Sequence, residues 1–153
     1  YKSLFPQQDI LALPEDEIIA QLKAKDTHTY TLEWFPTEFQ AFTGFDVFQH
    51  PFNQKQGYSI YQHGKFDILL IKMEMLNQIY TEAFSKFLGI NIAKLRYANL
   101  SNQKQSLIST KNKEVKSQYK VSPEEFNALY QTQFVRHFYT DLEIETFRKK
   151  WQD

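Results

Sequence analysis

The sequence of 153 residues contains no cysteine, and its charges cancel, with 18 basic against 18 acidic residues. Without cysteine the chain has no disulfide framework, no thiolate nucleophile and no zinc–thiolate site. This usage fits a reducing compartment, so we expect a cytoplasmic protein. Because the net charge is zero, no overall field favours nucleic acid or an anionic membrane surface. No apolar run approaches the roughly 18 residues that span a bilayer, so we expect no membrane span.

Several short catalytic motifs are also missing. The four glycines stand singly, so the sequence has neither a GxxxxGK[ST] nor a GxGxxG loop to hold phosphates. No GxSxG turn marks a nucleophilic serine. The four histidines lie far apart without HxxxH or HExxH spacing, which predicts neither a metal site nor a cofactor held by this chain. These histidines are His28, His50, His63 and His137.

Aromatic side chains are abundant, with fourteen Phe, nine Tyr and two Trp. They give a chain of this length large groups to pack and some polar tips to place. One core is expected, so residues 1–153 should form a single domain or part of one. The first residue is Tyr1 rather than Met, as expected if the chain was processed or is a piece of something longer.

The hydrophobic period changes once, within the stretch Phe66 to Ile90. The continuous apolar run Ile68 to Ile71 predicts a strand covered on both faces. From Glu74 onward apolar residues recur every three or four positions, which predicts an amphipathic helix that ends at Gly89. The weak alternation over 58–61 and the turn at 63–65 place a hairpin before the central strand.

Further helices are predicted on both sides of this stretch. Pro14 and the three acids after it open one helix, because proline suits the first turn and acids suit the positive end of the dipole. A second helical piece runs from Thr29 to Thr43, kinked or restarted by Pro36 and stopped by Gly44. The expected fold class is therefore α/β but mostly helical, with a short sheet or hairpin and about five helices.

The C-terminal third begins with a polar run and ends with two capping boxes. The run Ser101 to Lys120 predicts a solvated helix or a partly mobile excursion. Ser122 and Thr140 are each followed three residues later by a glutamate, so each should begin a helix. The first helix should bury Phe126, Leu129, Tyr130 and Phe134, and the second should bury Ile144, Phe147 and Trp151.

Lys72 and Glu74 are the polar pair that the sequence singles out. They follow the central strand and lie on the same side by the period of two. In open α/β sheets ligands bind at that end of the strand. The alternative is a structural ion pair without functional consequence.

A second candidate group lies between the two C-terminal helices, in the predicted link 136–139. A loop between rigid helices is a common place for functional residues, and this loop could fold over the end of the strand. In that arrangement Glu74 or His137 would accept a proton from a substrate and act catalytically. Lys72, Arg136 and Tyr139 would bind the substrate. The plain alternative is that His137 only hydrogen-bonds its neighbours.

Four stretches carry a resemblance to a known family. They are LEWFPTEFQAFTGFDVFQHPFNQKQGYSIY, FDILLIKMEMLNQIYTEAFSKFLGI, YANLSNQKQ and VRHFYTDLEIETFRKKW, together spanning Leu32 to Trp151. This pattern resembles a bacterial family of capsular polysaccharide synthesis proteins, which look like sulfotransferases. The most specific parts are the WF…E…G-D-V…PF run, the strand followed by the FLGI helix, and HFYT before an acidic helix start.

The resemblance implies a P-loop-like sulfotransferase fold. Such enzymes move a sulfuryl group from phosphoadenosine phosphosulfate to a hydroxyl, often on a sugar. Their phosphosulfate loop and the Arg and Ser that hold the 3′-phosphate precede the stretch that this chain resembles. The chain therefore looks like the C-terminal, acceptor-side part, and no catalytic residue of the family can be carried onto it.

Two partners follow from that expectation. One is a saccharide acceptor. The other is a second copy or a missing N-terminal half, because a strand with open edges pairs with something. The competing hypothesis is a non-catalytic binding or interaction domain that kept the scaffold.

Overall fold

The computed structural model describes residues 10–25, 29–93 and 107–152. The predicted connection Tyr1 to Pro6, the predicted extended segment Lys94 to Leu100 and His28 lie outside these residues. The described part is mostly helical and contains one two-stranded sheet. None of its helices is long and apolar enough to cross a membrane.

The regular elements are short helices and two short strands. Three single turns interrupt them: a π-helical turn over Phe35–Phe39, and 3₁₀ turns over Val47–Gln49 and Met73–Met75. The regular elements are α1 (Glu15–Lys25), α2 (Thr29–Trp34), α3 (Gln40–Thr43), β1 (Tyr58–His63), β2 (Phe66–Ile71), α4 (Leu76–Leu88), α5 (Leu107–Gln118), α6 (Pro123–Tyr130), α7 (Gln133–Phe138) and α8 (Asp141–Gln152).

The helical piece predicted over Thr29 to Thr43 is confirmed, as is its disturbance at Pro36. Proline lacks an N–H and crowds the preceding turn, and here the helix widens into the π-helical turn between α2 and α3. Gly44 then ends the helix in a left-handed conformation, with φ of 74°. Its N–H donates to the carbonyl of Gln40 at 2.7 Å.

The predicted hairpin is also confirmed, although the sheet differs from that of an open α/β fold. β1 and β2 pair antiparallel, with Tyr58 opposite Ile71 and His63 opposite Phe66. Within the described residues β2 has no parallel partner. The expected self-association through open strand edges stays a prediction.

The coverage of β2 on both faces explains its continuous apolar run. Ile68 and Leu70 pack against an aromatic cluster built around Phe45 and Phe138. On the opposite face, Leu69 and Ile71 pack with residues of β1 and α4. A continuous apolar run shows that both faces of a strand are covered, but it does not show whether the strand pairs parallel or antiparallel. Here α4 covers one face of β2 and an aromatic cluster covers the other, so an antiparallel strand has the run that is usual for parallel strands.

Two more clusters complete the core. The polar run 101–120 was predicted to be a solvated helix or a partly mobile excursion, and its described part is helical over Leu107–Gln118. Val115 of this helix and Ile18 of α1 are buried in one cluster, so α5 packs on α1 by one apolar face. Phe126, Val135 and Ile144 form the other cluster, which joins α6, α7 and α8.

Both predicted capping boxes are present, but the stretch between them was predicted wrongly. Ser122 and Thr140 each exchange hydrogen bonds with the glutamate three residues on. The first helix does not continue to Phe134, because the hydroxyl of Thr132 accepts from the Val135 N–H and begins the separate helix α7. The predicted link 136–139 is consequently helical up to Phe138.

Gly57 precedes β1 and lies against Met75 in the turn before α4. We expect Gly57→Ala to lower the free energy of unfolding by about 2 kcal/mol. Its φ is +78°, and a Cβ there would clash with the Met75 sulfur. Gly64→Ala is the matched control, since its φ is +58° but a Cβ would meet nothing within 4 Å. We expect the control to lose only about 1 kcal/mol. Urea unfolding measures both losses, and equal losses would show that the Met75 contact costs nothing.

Candidate functional site

A cleft of about 310 Å³ opens beside the turn that follows β2. Its walls come from α2, from the 3₁₀ turn after β2, and from α6, α7 and α8. Two of its lining side chains carry charge, Glu74 and Lys150. The aromatic lining residues are Tyr130, Phe134, Tyr139, Phe147 and Trp151.

The aromatic wall is anchored in the core beneath it. The Tyr130 ring stacks on Phe126 with centroids 3.8 Å apart, and Phe126 is fully buried. Tyr139 meets Phe147 edge to face at 5.4 Å. Because buried neighbours hold these rings, the cleft is largely preformed, as binding sites for small molecules usually are.

Glu74 and Tyr139 form the polar feature of the cleft. The Tyr139 hydroxyl donates to Glu74 Oε1 at 2.9 Å. Burial raises the pKa of Tyr139, and the negative charge of Glu74 raises it further. The phenol therefore stays protonated at neutral pH and acts as a donor. The carboxylate of Glu74 is the group of this pair that can accept a proton.

Lys72 lies behind this pair rather than in the cleft. Its side chain is only 2% exposed and forms an ion pair with Glu143. The Lys72 Nζ also lies 5.1 Å from the centroid of the Tyr139 ring, a cation–π distance. Lys72 thus pairs with Glu143 rather than with Glu74, and it supports the ring that holds Glu74.

The carboxylate of Glu143 has further partners at the start of α8. Its Oε2 accepts from the backbone N–H and from the hydroxyl of Thr140, each at 2.8 Å. Burial acts to raise the pKa of Glu143, but Lys72 and the Thr140 donors outweigh burial and leave the pKa below its ordinary value. Glu143 is therefore ionised at neutral pH.

His137 and Arg136 do not line the cleft. The His137 ring contacts Phe48 edge to face at 5.4 Å, and its buried Nε2 has no hydrogen-bond partner in the described part of the chain. Burial lowers the pKa of His137, and Asp46 partly opposes that effect. Arg136 pairs with Asp141 at the surface and donates to Gln131 Oε1 at 3.0 Å.

The structure thus brings together three of the five residues selected from the sequence, Lys72, Glu74 and Tyr139. His137 and Arg136 are separated from them because they belong to a helix, whose successive side chains point in different directions. Their predicted roles are not tested by this arrangement. Sequence reasoning missed Lys150 and assigned Trp151 to the core, since a cleft wall and a core face share the same helical spacing.

The charged groups that line the cleft do not match those that the expected sulfate donor would need. Phosphoadenosine phosphosulfate carries several anionic groups, which require a cluster of cations or a glycine-rich loop. Among the described residues Lys150 is the single cation that lines the cleft, and Glu74 is an acid. No group of three or more His, Asp or Glu that could hold a metal occurs in the described ranges.

Comparison with known proteins matches the chain to a protein family. The profile of a family described as "putative capsular polysaccharide synthesis protein" matches residues 16–140. That range includes Glu74 and Tyr139 but ends before Phe147 and Trp151 of α8. No curated protein and no solved structure matches the chain.

Proposed function

Because the chain belongs to the family described as "putative capsular polysaccharide synthesis protein", we propose that it is the acceptor-side part of a sulfotransferase-like protein. It acts in surface polysaccharide modification and binds the saccharide in the aromatic cleft. The observation that carries the proposal is the aromatic wall beside the carboxylate of Glu74. The Tyr139 hydroxyl donates to Glu74 Oε1 at 2.9 Å and so positions this carboxylate. Sugar rings place their apolar C–H faces against aromatic rings, while their hydroxyls donate to carboxylates.

The proposed reaction is sulfuryl transfer to a sugar hydroxyl. The hydroxyl oxygen attacks the sulfur of phosphoadenosine phosphosulfate as the bond between that sulfur and the bridging phosphate oxygen breaks. Phosphoadenosine phosphate leaves with the bonding electron pair, and Glu74 accepts the hydroxyl proton as a general base. Support comes from the resemblance of four stretches to a capsular polysaccharide synthesis family whose members look like sulfotransferases, and from the position of Glu74 after the central strand. The donor is a second substrate, and its site would lie on a part of the protein outside the described residues.

A second candidate function is saccharide binding without catalysis. It is favoured because the two cations that the sequence selected are already engaged by carboxylates of this chain and are not directed at a substrate. Lys72 pairs with Glu143, and Arg136 pairs with Asp141. Titration with phosphoadenosine phosphate separates the two candidates. The enzyme hypothesis requires binding by the full-length protein and weak or no binding by residues 1–153 alone. Tight stoichiometric binding by residues 1–153 would contradict the assignment of this chain to the acceptor side.

The cleft assignment predicts that Trp151→Leu weakens saccharide binding about fivefold, because a stacked aromatic contributes on the order of 1 kcal/mol. Trp34→Leu is the matched control, since Trp34 is half exposed and lies outside the cleft lining. Calorimetric titration with oligosaccharides from the depolymerised capsule measures both affinities. We expect the control to bind as tightly as the wild type. Equal affinities for all three proteins would place the saccharide elsewhere.

A further inference from the structure

Lys150 is the cation of the cleft, and its surroundings bear on the kind of sugar that fits there. Its side chain is exposed on α8, and its Nζ lies 5.2 Å from the centroid of the Trp151 ring. In the described ranges Lys150 forms no ion pair, whereas Lys72, Lys111 and Arg136 each pair with a carboxylate. The Trp151 ring thus lies beside an ammonium that pairs with no acid among residues 10–25, 29–93 and 107–152.

Glu74 and Lys150 line the same cleft without pairing with each other. Glu74 is carried by the turn after β2 and is engaged by Tyr139, whereas Lys150 belongs to the C-terminal part of α8. The cleft therefore presents a hydrogen-bond acceptor and a cation from different elements, and most of the remaining lining is aromatic or aliphatic. A ligand that satisfies both offers hydroxyls to Glu74 and an anionic group to Lys150.

We propose that the cleft selects an acidic saccharide, with the aromatic wall against the sugar ring and the anionic substituent on Lys150. This inference rests on the proposed function and names its substrate class. The charge of Glu74 repels an anion, so it fixes the direction in which the sugar lies. Lys150 is then the residue that distinguishes acidic from neutral sugars. A carboxylate and a sulfate ester are the two chemical sources of such a charge.

The test compares three probes of equal length: a galacturonate hexamer, its carboxyl-reduced neutral form, and that neutral form carrying sulfate esters. For the wild type in 20 mM salt, we expect the acidic probes to bind about fivefold more tightly than the neutral probe, the size of effect usual for one exposed charge pair. Screening should reduce the preference in 0.5 M salt. A preference for one acidic probe over the other identifies which anionic group the cleft takes.

Lys150→Gln should remove the preference, and Lys150→Arg should keep it. Lys149→Gln is the matched control, because Lys149 is an exposed neighbour that does not line the cleft. The inference is overturned if the wild type binds the neutral probe equally well, or if Lys149→Gln and Lys150→Gln reduce the preference to the same extent. In both cases a loss of affinity in Trp151→Leu would leave the proposed function standing. No binding of any probe would overturn both proposals.

Discussion

Replacing Glu143 with glutamine is expected to lower the free energy of unfolding by about 3 kcal/mol. Glutamine can still accept from the Thr140 N–H, so the start of α8 keeps its capping box. What the substitution removes is the negative charge beside Lys72, whose side chain is 2% exposed. A buried ammonium without a counter-charge is costly because water cannot solvate it. Urea unfolding of the purified chain measures the loss.

Removing the other partner should cost less. Lys72→Met leaves Glu143 without its cation, but the Glu143 side chain is 31% exposed and keeps its Thr140 donors. Water can solvate that carboxylate, so we expect a loss of about 1 kcal/mol. Glu145→Gln is the matched control on the same helix, since Glu145 pairs with Arg148 at the surface. Equal losses in Glu143→Gln and Glu145→Gln would contradict a special role for the buried pair.

The pH dependence of the same variants gives an independent check. The pKa of Glu143 is lowered in the folded protein, so folding favours the ionised carboxylate. The resulting stability is present above the ordinary pKa of 4.5 and is lost as the pH falls through the lower folded value. Wild-type protein should therefore lose this contribution on acidification below about pH 4.5. Glu143→Gln should lack this component of the acid-induced loss.

The features that the sequence predicted well are local ones. Pro36, Gly44, Ser122 and Thr140 act through their own backbone geometry or through a partner three or four residues away, so their effects are visible in a short window. The hairpin before the central strand is also local, because its turn and both strands are contiguous. Local chemistry therefore identified most of the helix ends and the sheet.

The candidate site was less predictable because its contacts are long-range. Lys72 and Glu143 are 71 positions apart, and nothing in either local pattern indicates the pairing. Phe147 and Trp151 have the spacing of a core face, but the cleft at α6, α7 and α8 exposes part of that face. Thr132 was the local signal that could have corrected the prediction for 136–139, since a hydroxyl before a new apolar turn is a common helix start.

A series of contacts connects the buried ion pair to the wall of the cleft. Glu143 holds Lys72, Lys72 underlies the Tyr139 ring, and the Tyr139 hydroxyl holds Glu74 at the cleft wall. Substitutions at different points of this series of contacts should therefore have different effects. A change at the buried end should act on stability, whereas a change at Glu74 should act on chemistry because Glu74 is exposed.

The largest effect on activity is expected for Glu74→Gln, which should lower sulfate transfer about a hundredfold. Glutamine keeps the shape of the side chain and still accepts from the Tyr139 hydroxyl, so saccharide affinity should change only a few-fold. It cannot take the hydroxyl proton at neutral pH. Tyr139 cannot replace it, because burial still raises the pKa of the phenol in the variant and keeps the phenol protonated. The measurement is transfer of labelled sulfate from phosphoadenosine phosphosulfate by the full-length protein, alongside calorimetric affinity for the saccharide.

His137→Gln is the informative comparison, because the sequence offers His137 as the other proton acceptor while the structure places it among Phe48, Phe52 and Phe138. Its half-buried ring does not line the cleft, so activity per folded molecule should stay within a few-fold of the wild type even where thermal stability changes. A hundredfold loss in His137→Gln with full activity in Glu74→Gln would reverse the assignment. Transfer by wild type that neither substitution alters would place the general base outside these two residues. A full-length protein that binds saccharide with a Trp151-dependent affinity but transfers no sulfate would favour the non-catalytic binding domain.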